Sequence, residues 1–279
     1  MKKYLLTALL FASAGCLWAQ DQPPAGKFSG YVFGDYFYHV QRDSLIGTLK
    51  NTALSGARDF QGFQIRRIYF TYDNTISAAF SARFRMEATT GSPIVKDAYL
   101  KWKDVFRGSD ACFGLQPTPA YEISEAAWGY RSLEKTIMDL RGIVPSRDLG
   151  ASLRGSLAGS GTLGYWLMVG NNSGTGTESD KFKRYYANIQ VRPSEEFQAT
   201  LYADYAAQPD VNDPSGTALP PKSVDHGTLT TAVFAGYAKK DRFTVGIEGF
   251  MTSTKHDYAT AGSSSLRTRT SAGVSVFGS

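Results

Sequence analysis

The sequence is poor in cysteine and histidine, with two cysteines and three histidines. Cys16 lies in the leader described below, so Cys112 would be left without an intrachain partner. Because these residue types are so scarce, nothing points to thiol catalysis or to a cysteine-based metal site. P-loop and nucleophile-elbow motifs are also missing. We therefore expect neither an enzyme nor a bound cofactor or metal.

Long apolar runs and blocks of like charge are missing too. Beyond residue 20, no apolar run approaches the roughly 20 residues that a membrane-spanning helix needs. The formal charge of +5 falls to +3 once Lys2 and Lys3 are removed with the leader. So small and dispersed a charge argues against nucleic acid as a partner. Aromatic residues make up 13% of the chain and 28 residues are glycine, a composition that excludes disorder.

What is present begins with a leader. Lys2 and Lys3 precede an apolar run at residues 5–14, and small residues lead to Ala19. This pattern predicts a signal peptide over residues 1–20, cleaved near Ala19 and removed during export across the inner membrane. Alternatively, Cys16 would be the acceptor of a lipoprotein anchor. The folded part would then occupy residues 21–279.

The folded part alternates apolar and polar residues with a period of two. In residues 77–89, Phe80, Phe84 and Met86 point to one side, while Arg83 and Arg85 point to the other. The same alternation recurs at residues 148–157 and 184–192. One face suits lipid and the other suits water, as in an outer-membrane β-barrel.

About twelve such strands are visible, and their connections differ in length. Tight connections are expected at residues 73–76, 158–162, 193–197 and 239–242, and long ones at 43–62, 117–147, 171–183, 208–228 and 254–265. Outer-membrane barrels have short periplasmic turns and longer outer loops. A soluble β-sandwich is the alternative, but it has no reason to keep one end tight. Aromatic residues near the strand ends, among them Tyr36, Tyr69, Tyr72, Trp102, Trp166, Tyr202 and Phe277, suggest belts at the two membrane interfaces.

Several short motifs, taken in order, resemble the phosphate-selective porin O and P family. Residues 62–68 read GFQIRRI, with a paired arginine, and residues 97–100 read DAYL. Residues 113–116 read FGLQ, followed by Pro119 and Glu122. Residues 147–150 read RDLG, and are followed by LGY at 163–165 and GNN at 170–172.

The resemblance implies an all-β transmembrane antiparallel barrel that forms a homotrimer in the outer membrane and lets small solutes, above all anions, diffuse through. It also implies that the long loop at residues 117–146 folds inward. Such porins have about sixteen strands and commonly finish on an aromatic residue, whereas this sequence has about twelve and stops at Phe277-Gly278-Ser279. Either a smaller barrel or a longer chain would explain the difference.

The polar face supplies the predicted pore lining. Arginine offers a permanently charged fork of donors to phosphate or carboxylate oxygens, so rings of arginine bias a pore toward anions. Alternatively, each arginine pairs with a carboxylate on a neighbouring strand and only fills a wet interior. The predicted basic lining is Arg67, Arg83, Arg85, Lys101, Arg154, Arg184, Arg192, Arg267 and Arg269, and the acidic lining is Asp35, Glu87, Asp97, Asp148, Asp204 and Glu248.

Adjacent arginines pose a problem, because strict alternation sends Arg66 and Arg67 to opposite faces. A tight turn at residues 74–76 would set Phe70 opposite Phe80 and leave Arg67 inward. Arg66 would then face a subunit contact or reach toward the interface.

The long loop carries an apolar stripe at helical spacing between residues 122 and 140, which an exposed loop would not need. Docked inside the barrel, it would narrow the pore and present Arg131, Lys135 and Arg141 to solute; outside, it would form a cap.

Two other functions compete with that of a pore. A membrane-embedded hydrolase would need His39 beside a serine or an acid. A surface scaffold or adhesin would use the loops at residues 171–183 and 208–228. His226 and His256 follow or precede an aspartate in predicted loops, where a solvated histidine is the simpler interpretation than a metal ligand.

Overall fold

The structure is a computed structural model that describes residues 25–41, 59–89, 91–157, 161–214, 222–239, 242–259 and 265–279. The predicted signal peptide, its cleavage site and Cys16 lie outside the described residues, and so does most of the first long loop. Within the described ranges, no helix has the length and apolar character needed to cross a bilayer.

Twelve strands form one sheet in which every strand pairs antiparallel with its neighbours in sequence. In the described residues the two end strands of this sheet are not paired with each other. The strands are β1 Ala25–Tyr38, β2 Gln61–Thr75, β3 Phe80–Ala88, β4 Ile94–Phe106, β5 Ser109–Pro117, β6 Arg147–Ser156, β7 Leu163–Gly170, β8 Arg184–Val191, β9 Phe197–Asn212, β10 Ser223–Lys239, β11 Phe243–Ala259 and β12 Leu266–Gly278.

The alternation predicted from the sequence is confirmed by the exposure of the side chains. On β5, Phe113 is 72% exposed on the outer face, whereas Gln116 on the inner face is 1% exposed. The outer face is apolar from strand to strand, as Val233, Leu201 and Val274 illustrate. The inner face holds most of the buried polar side chains. The all-β barrel architecture follows directly from this period of two.

The β2–β3 turn lies further along the chain than predicted. Phe70 pairs with Met86, not with Phe80, because the turn is closed by the Ile76 N–H donating to the Phe80 carbonyl. The displacement of six residues is even, so each side chain keeps the face that the alternation assigned to it. Ile68 therefore faces outward and Arg67 inward, as predicted.

About half of each of two predicted loops is strand. β9 and β10 continue as a hairpin to Asn212 and Ser223, and β11 continues to Ala259. Polar, Gly-rich and Pro-rich composition predicted open loops at residues 208–228 and 254–265. Cross-strand pairing overrides that local preference, with one register shift in each of the two hairpins.

The aromatic residues divide between the two faces, which corrects the expectation of interface belts alone. Tyr69, Trp166 and Tyr202 are buried on the inner face, and Phe277 contacts Trp128 of the inward segment. Several outer rings lie near the strand ends, as expected for belts: Phe28, Tyr72, Trp102 and Phe243 at the tight-turn end, and Tyr36, Phe63 and Tyr185 at the other.

Candidate pore lining

The segment between β5 and β6, residues 118–146, folds into the barrel and packs on one of its walls. It carries two short helices, α1 Glu122–Trp128 and α2 Ile137–Leu140. Both helices contact β11, and α2 also contacts β12. The buried cluster that joins the segment to β7–β11 consists of Ala120, Tyr121, Met138, Val144, Met168, Tyr186, Tyr202, Ala232 and Phe250. The prediction of an inward-folded loop with a short helix is confirmed.

The prediction of one apolar stripe at helical spacing over residues 122–140 is wrong, because the segment forms two short helices separated by a turn. Gly129 adopts φ 72°, the left-handed conformation that ends α1, and the chain turns before α2 begins. As a result Tyr130, Leu133 and Leu140 of the predicted stripe are exposed. The packing is made by Tyr121 and Val144, which lie outside the helices, and by Met138 within α2.

Polar tethers hold this inward segment against the wall. The Asn188 side-chain amide donates to the Pro119 carbonyl at 3.0 Å, and the Glu248 carboxylate accepts the Ile137 N–H at 2.8 Å. Burial raises the pKa of the Tyr121 phenol, which therefore stays neutral. Glu248 was predicted to line the pore; its carboxylate instead serves the backbone of the inward segment.

The opposite wall, formed by β2–β6, meets the segment through polar contacts such as Arg66 with the Leu133 carbonyl and Arg154 with Glu122, and three cavities lie beside these contacts. Two of them, of about 420 and 330 Å³, lie between the stretch Arg131–Lys135 and strands β2–β4. A third, of about 220 Å³, lies near the tight-turn end and is lined by Arg83, Lys101 and Arg154. These three cavities lie along the wall that carries most of the predicted charges, while a larger one, of about 650 Å³, lies at the tight-turn end between the last residues of α1 and strands β9–β11.

Arg66 and Arg67 both reach the inner side, which corrects the expectation that they must separate. The β1–β2 register shifts by one residue at this point, because Phe33 pairs with Arg67 and Gly34 with Ile65. Such a bulge puts two consecutive residues opposite one and breaks the alternation. Arg66 contacts Asp35 at 2.5 Å and donates to the Leu133 carbonyl at 3.4 Å.

A second register shift, between β3 and β4, brings the consecutive residues Lys96 and Asp97 to the inner side. Arg85 pairs with Asp97 and Met86 with Val95, so Lys96 is the extra residue and both charged side chains are buried on the inner side. Lys96 contacts Glu87, which also accepts from Arg67 at 2.6 Å. Sequence alternation placed Lys96 on the outer face and so missed it.

Asp97 is the most enclosed acid of this wall, with none of its side chain exposed. It lies 2.5 Å from Arg147 and 3.3 Å from Arg85, so it forms ion pairs with two guanidinium groups at once. Arg85 also donates to the Thr71 hydroxyl at 2.9 Å. Arg147 stood in the RDLG motif but was assigned to the loop, and only its contact with Asp97 identifies it.

Other predicted cations are also paired. Arg83 binds Asp73 through two nitrogens, at 2.6 and 3.0 Å, and Arg184 binds Asp204 at 2.7 Å. The remaining pairs are Lys101 with Asp110 at 3.8 Å, Arg154 with Glu122 at 3.6 Å and Arg269 with Asp257 at 2.6 Å. Asp148, also predicted to line the pore, is buried and accepts from the Tyr186 hydroxyl at 2.7 Å. Cross-strand neutralisation therefore describes most of the predicted lining.

The three cations predicted on the inward segment differ from one another. Arg131 is held between Glu125 at 3.0 Å and Asp139 at 2.7 Å, and Lys135 is 3.6 Å from Asp139. Arg141 is exposed. Arg141, Arg192 and Arg267 form no ion pair with any residue that the structure describes, and all three are exposed.

The histidines do not form a catalytic or metal-binding group in the described ranges. His39 packs against the rings of Phe37 and Phe60, at centroid distances of 5.2 and 5.7 Å. His256 lies 3.5 Å from Asp225 in the β10–β11 hairpin. No three potential metal ligands come together among the described residues.

Comparison with known proteins gives likeness of fold only. No family model matches the sequence, and no curated protein matches it either. Among solved structures, OmpT of Vibrio cholerae, in its trimer form, is 11% identical with a TM-score of 0.47, covering 86% of this chain and 69% of that one. OmpF of Salmonella typhi is 12% identical with a TM-score of 0.41, covering 90% of this chain and 85% of that one. A structure described under asymmetric conductivity of engineered proteins is 10% identical, with a TM-score of 0.42.

Proposed function

We propose that this protein is a porin of the bacterial outer membrane, through which small solutes diffuse passively. The observation that carries the proposal is the one-sided packing of the inward segment. Its buried apolar cluster lies on β7–β11, whereas polar contacts and charged cavities lie between it and β2–β6. A segment that only filled the core would bury apolar side chains against both walls. The diffusion path would therefore run between Arg131–Lys135 and strands β2–β4.

The outer face supports a location in the membrane. Its apolar side chains would contact lipid, and its aromatic rings cluster toward both strand ends, where a bilayer has its polar interfaces. The signal peptide predicted over residues 1–20 would direct export. The motifs shared with the phosphate-selective porins favour a homotrimer of that kind.

We further propose a preference for anions. Six cationic side chains line the cavities of about 420 and 330 Å³: Arg66, Arg67, Lys96, Arg131, Lys135 and Arg147. Three acids line the same space, and Asp35 and Asp97 lie behind it. The local excess is therefore between one and three positive charges. Guanidinium and ammonium groups therefore outnumber carboxylates at the open space, which would favour anions.

Planar bilayers would test the proposal. Purified protein should produce discrete conductance steps. Under a KCl gradient, the reversal potential should shift toward the equilibrium potential of chloride. Replacing both Arg131→Gln and Lys135→Gln should lower the chloride-to-potassium permeability ratio by about twofold or more, because unscreened charges act within a Debye length of roughly 8 Å.

The matched control removes two charges elsewhere, with Lys239→Gln and Arg242→Gln at an exposed tight turn, and should leave the ratio unchanged. Absence of any conductance from the folded protein would contradict the pore. Steps without an anion shift would contradict only the anion preference.

A further inference from the structure

A set of inward-facing aromatic rings follows β1 from the barrel interior to the end that carries the long connections. Tyr31, Phe33 and Tyr69 form its lower half, with ring centroids 4.7 to 6.3 Å apart. Its upper half, with centroids 5.2 to 5.7 Å apart, is made by Phe37, His39 and Phe60. We call these six residues the aromatic track.

The aromatic track is not part of a membrane belt and not part of the buried core. Along β1, residues 33, 35, 37 and 39 are half-buried and alternate with exposed residues on the outer face. The buried cluster of the inward segment contains none of the six residues. Five of the rings are partly open, and only Tyr69 is buried. Phe33 lines the cavity of about 420 Å³, and the other partly open rings continue from it along β1.

Cations lie between and beside the two halves of the aromatic track. Asp35, on the same face of β1, binds Arg66 at 2.5 Å, between Phe33 and Phe37. Phe33 lines the cavity of about 420 Å³ together with Arg66, Arg67 and Arg131. Arg67 donates to the Tyr69 hydroxyl at 3.0 Å, so one residue of the lower half contacts a guanidinium group directly.

We propose that the aromatic track and this cavity bind planar aromatic carboxylates, an inference that rests on the proposed pore function and names its substrate class. The rings would stack against the flat face of the solute at offset or edge-to-face distances. The forked donors of Arg66 and Arg67 would bind its carboxylate. A cavity of this size falls within the range of small-molecule sites, roughly 300 to 1,000 Å³.

A neutral sugar is the competing occupant, since it also stacks on aromatic rings. Sugar hydroxyls require a mixture of donors and acceptors. Among the described residues that line this cavity, Glu134 is the only acidic one, against four cationic ones, Arg66, Arg67, Arg131 and Lys135. The balance of charge favours an anionic solute.

The test compares two acids of like charge and size in planar bilayers. Benzoate should block the chloride current at concentrations at least tenfold lower than cyclohexanecarboxylate, which has no aromatic face. Phe33→Leu and Phe37→Leu should abolish that difference. The control Phe113→Leu removes an outward ring, 72% exposed, and should preserve it.

The outcomes separate this inference from the pore itself. The aromatic carboxylate site is overturned if the protein conducts and the two acids block it equally. It is also overturned if maltose blocks the current and benzoate does not. Either result leaves the pore intact. If the folded protein does not conduct, the pore proposal fails. Binding of fluorescent 2-naphthoate to the detergent-solubilised protein, measured by anisotropy, then decides the site: saturable binding lost in Phe33→Leu supports it, and no binding overturns it.

Discussion

At the scale of single residues, the inner wall carries many ion pairs, and the contribution of each pair to stability depends on how deeply it is buried. Asp97 is fully enclosed between Arg85 and Arg147, whereas Asp225 and Lys255 are 61% exposed at 3.1 Å. An enclosed charge that loses its partner remains uncompensated, while solvent screens an exposed one.

Asp97→Asn should therefore destabilise the folded barrel by about 3 to 5 kcal/mol, since it leaves two guanidinium groups without a counter-charge. Urea unfolding of the protein in lipid vesicles, followed by tryptophan fluorescence, would measure the change. Asp225→Asn serves as the control and should unfold like the parent protein. Equal stability of both variants would show that the Asp97 cluster is well hydrated.

At the scale of elements, the inward segment is positioned by a few directed bonds in addition to its apolar contacts. The Ile137 N–H donates to the Glu248 carboxylate. Near the start of the segment, the Pro119 carbonyl accepts a hydrogen bond from the Asn188 amide. Losing either partner leaves a backbone group without its hydrogen bond inside the barrel.

Glu248→Ala should loosen α2 at a cost of roughly 1 to 3 kcal/mol, because the Ile137 N–H loses its acceptor. The open-channel current should become noisier, and trypsin should cut faster after Arg131, Lys135 or Arg141. Glu178→Ala, in the loop between β7 and β8, removes an acid that pairs with Lys183 and is the control. Identical noise and cleavage in the two variants would contradict the tethering role.

At the scale of the whole molecule, the outer face of the sheet and the edges of its two end strands must be accommodated by the membrane or by other subunits. The outer face is apolar on every strand, and the edges of β1 and β12 are not paired with each other in the described residues. In hydrocarbon, unpaired backbone N–H and C=O groups cost several kcal/mol each, so both edges need hydrogen-bonding partners there.

A homotrimer is the expected assembly. Light scattering of the detergent-solubilised protein, corrected for bound detergent, should give a protein mass three times that of one chain. Boiling should convert this species to monomer on an electrophoresis gel. A monomer under all mild detergents would contradict the assembly without touching the pore, whose path lies within one barrel.

Much of the fold was determined by the sequence itself. Alternation of apolar and polar residues assigned Arg83, Arg85 and Phe84 to their correct faces, and the rhythm of short and long connections predicted an antiparallel meander. These features are local, because a strand's side chains alternate wherever it pairs. The inward segment was foreseen from its apolar residues and from the family resemblance.

Only the tertiary structure decided which charges meet. The bulges that bring Arg66 beside Arg67 and Lys96 beside Asp97 to one face come from pairing between strands, since one inserted residue reverses the alternation. The same holds for Arg147 with Asp97 and for the wall on which the inward segment rests. Contacts between residues far apart in the chain depend on register and packing, which no local pattern records.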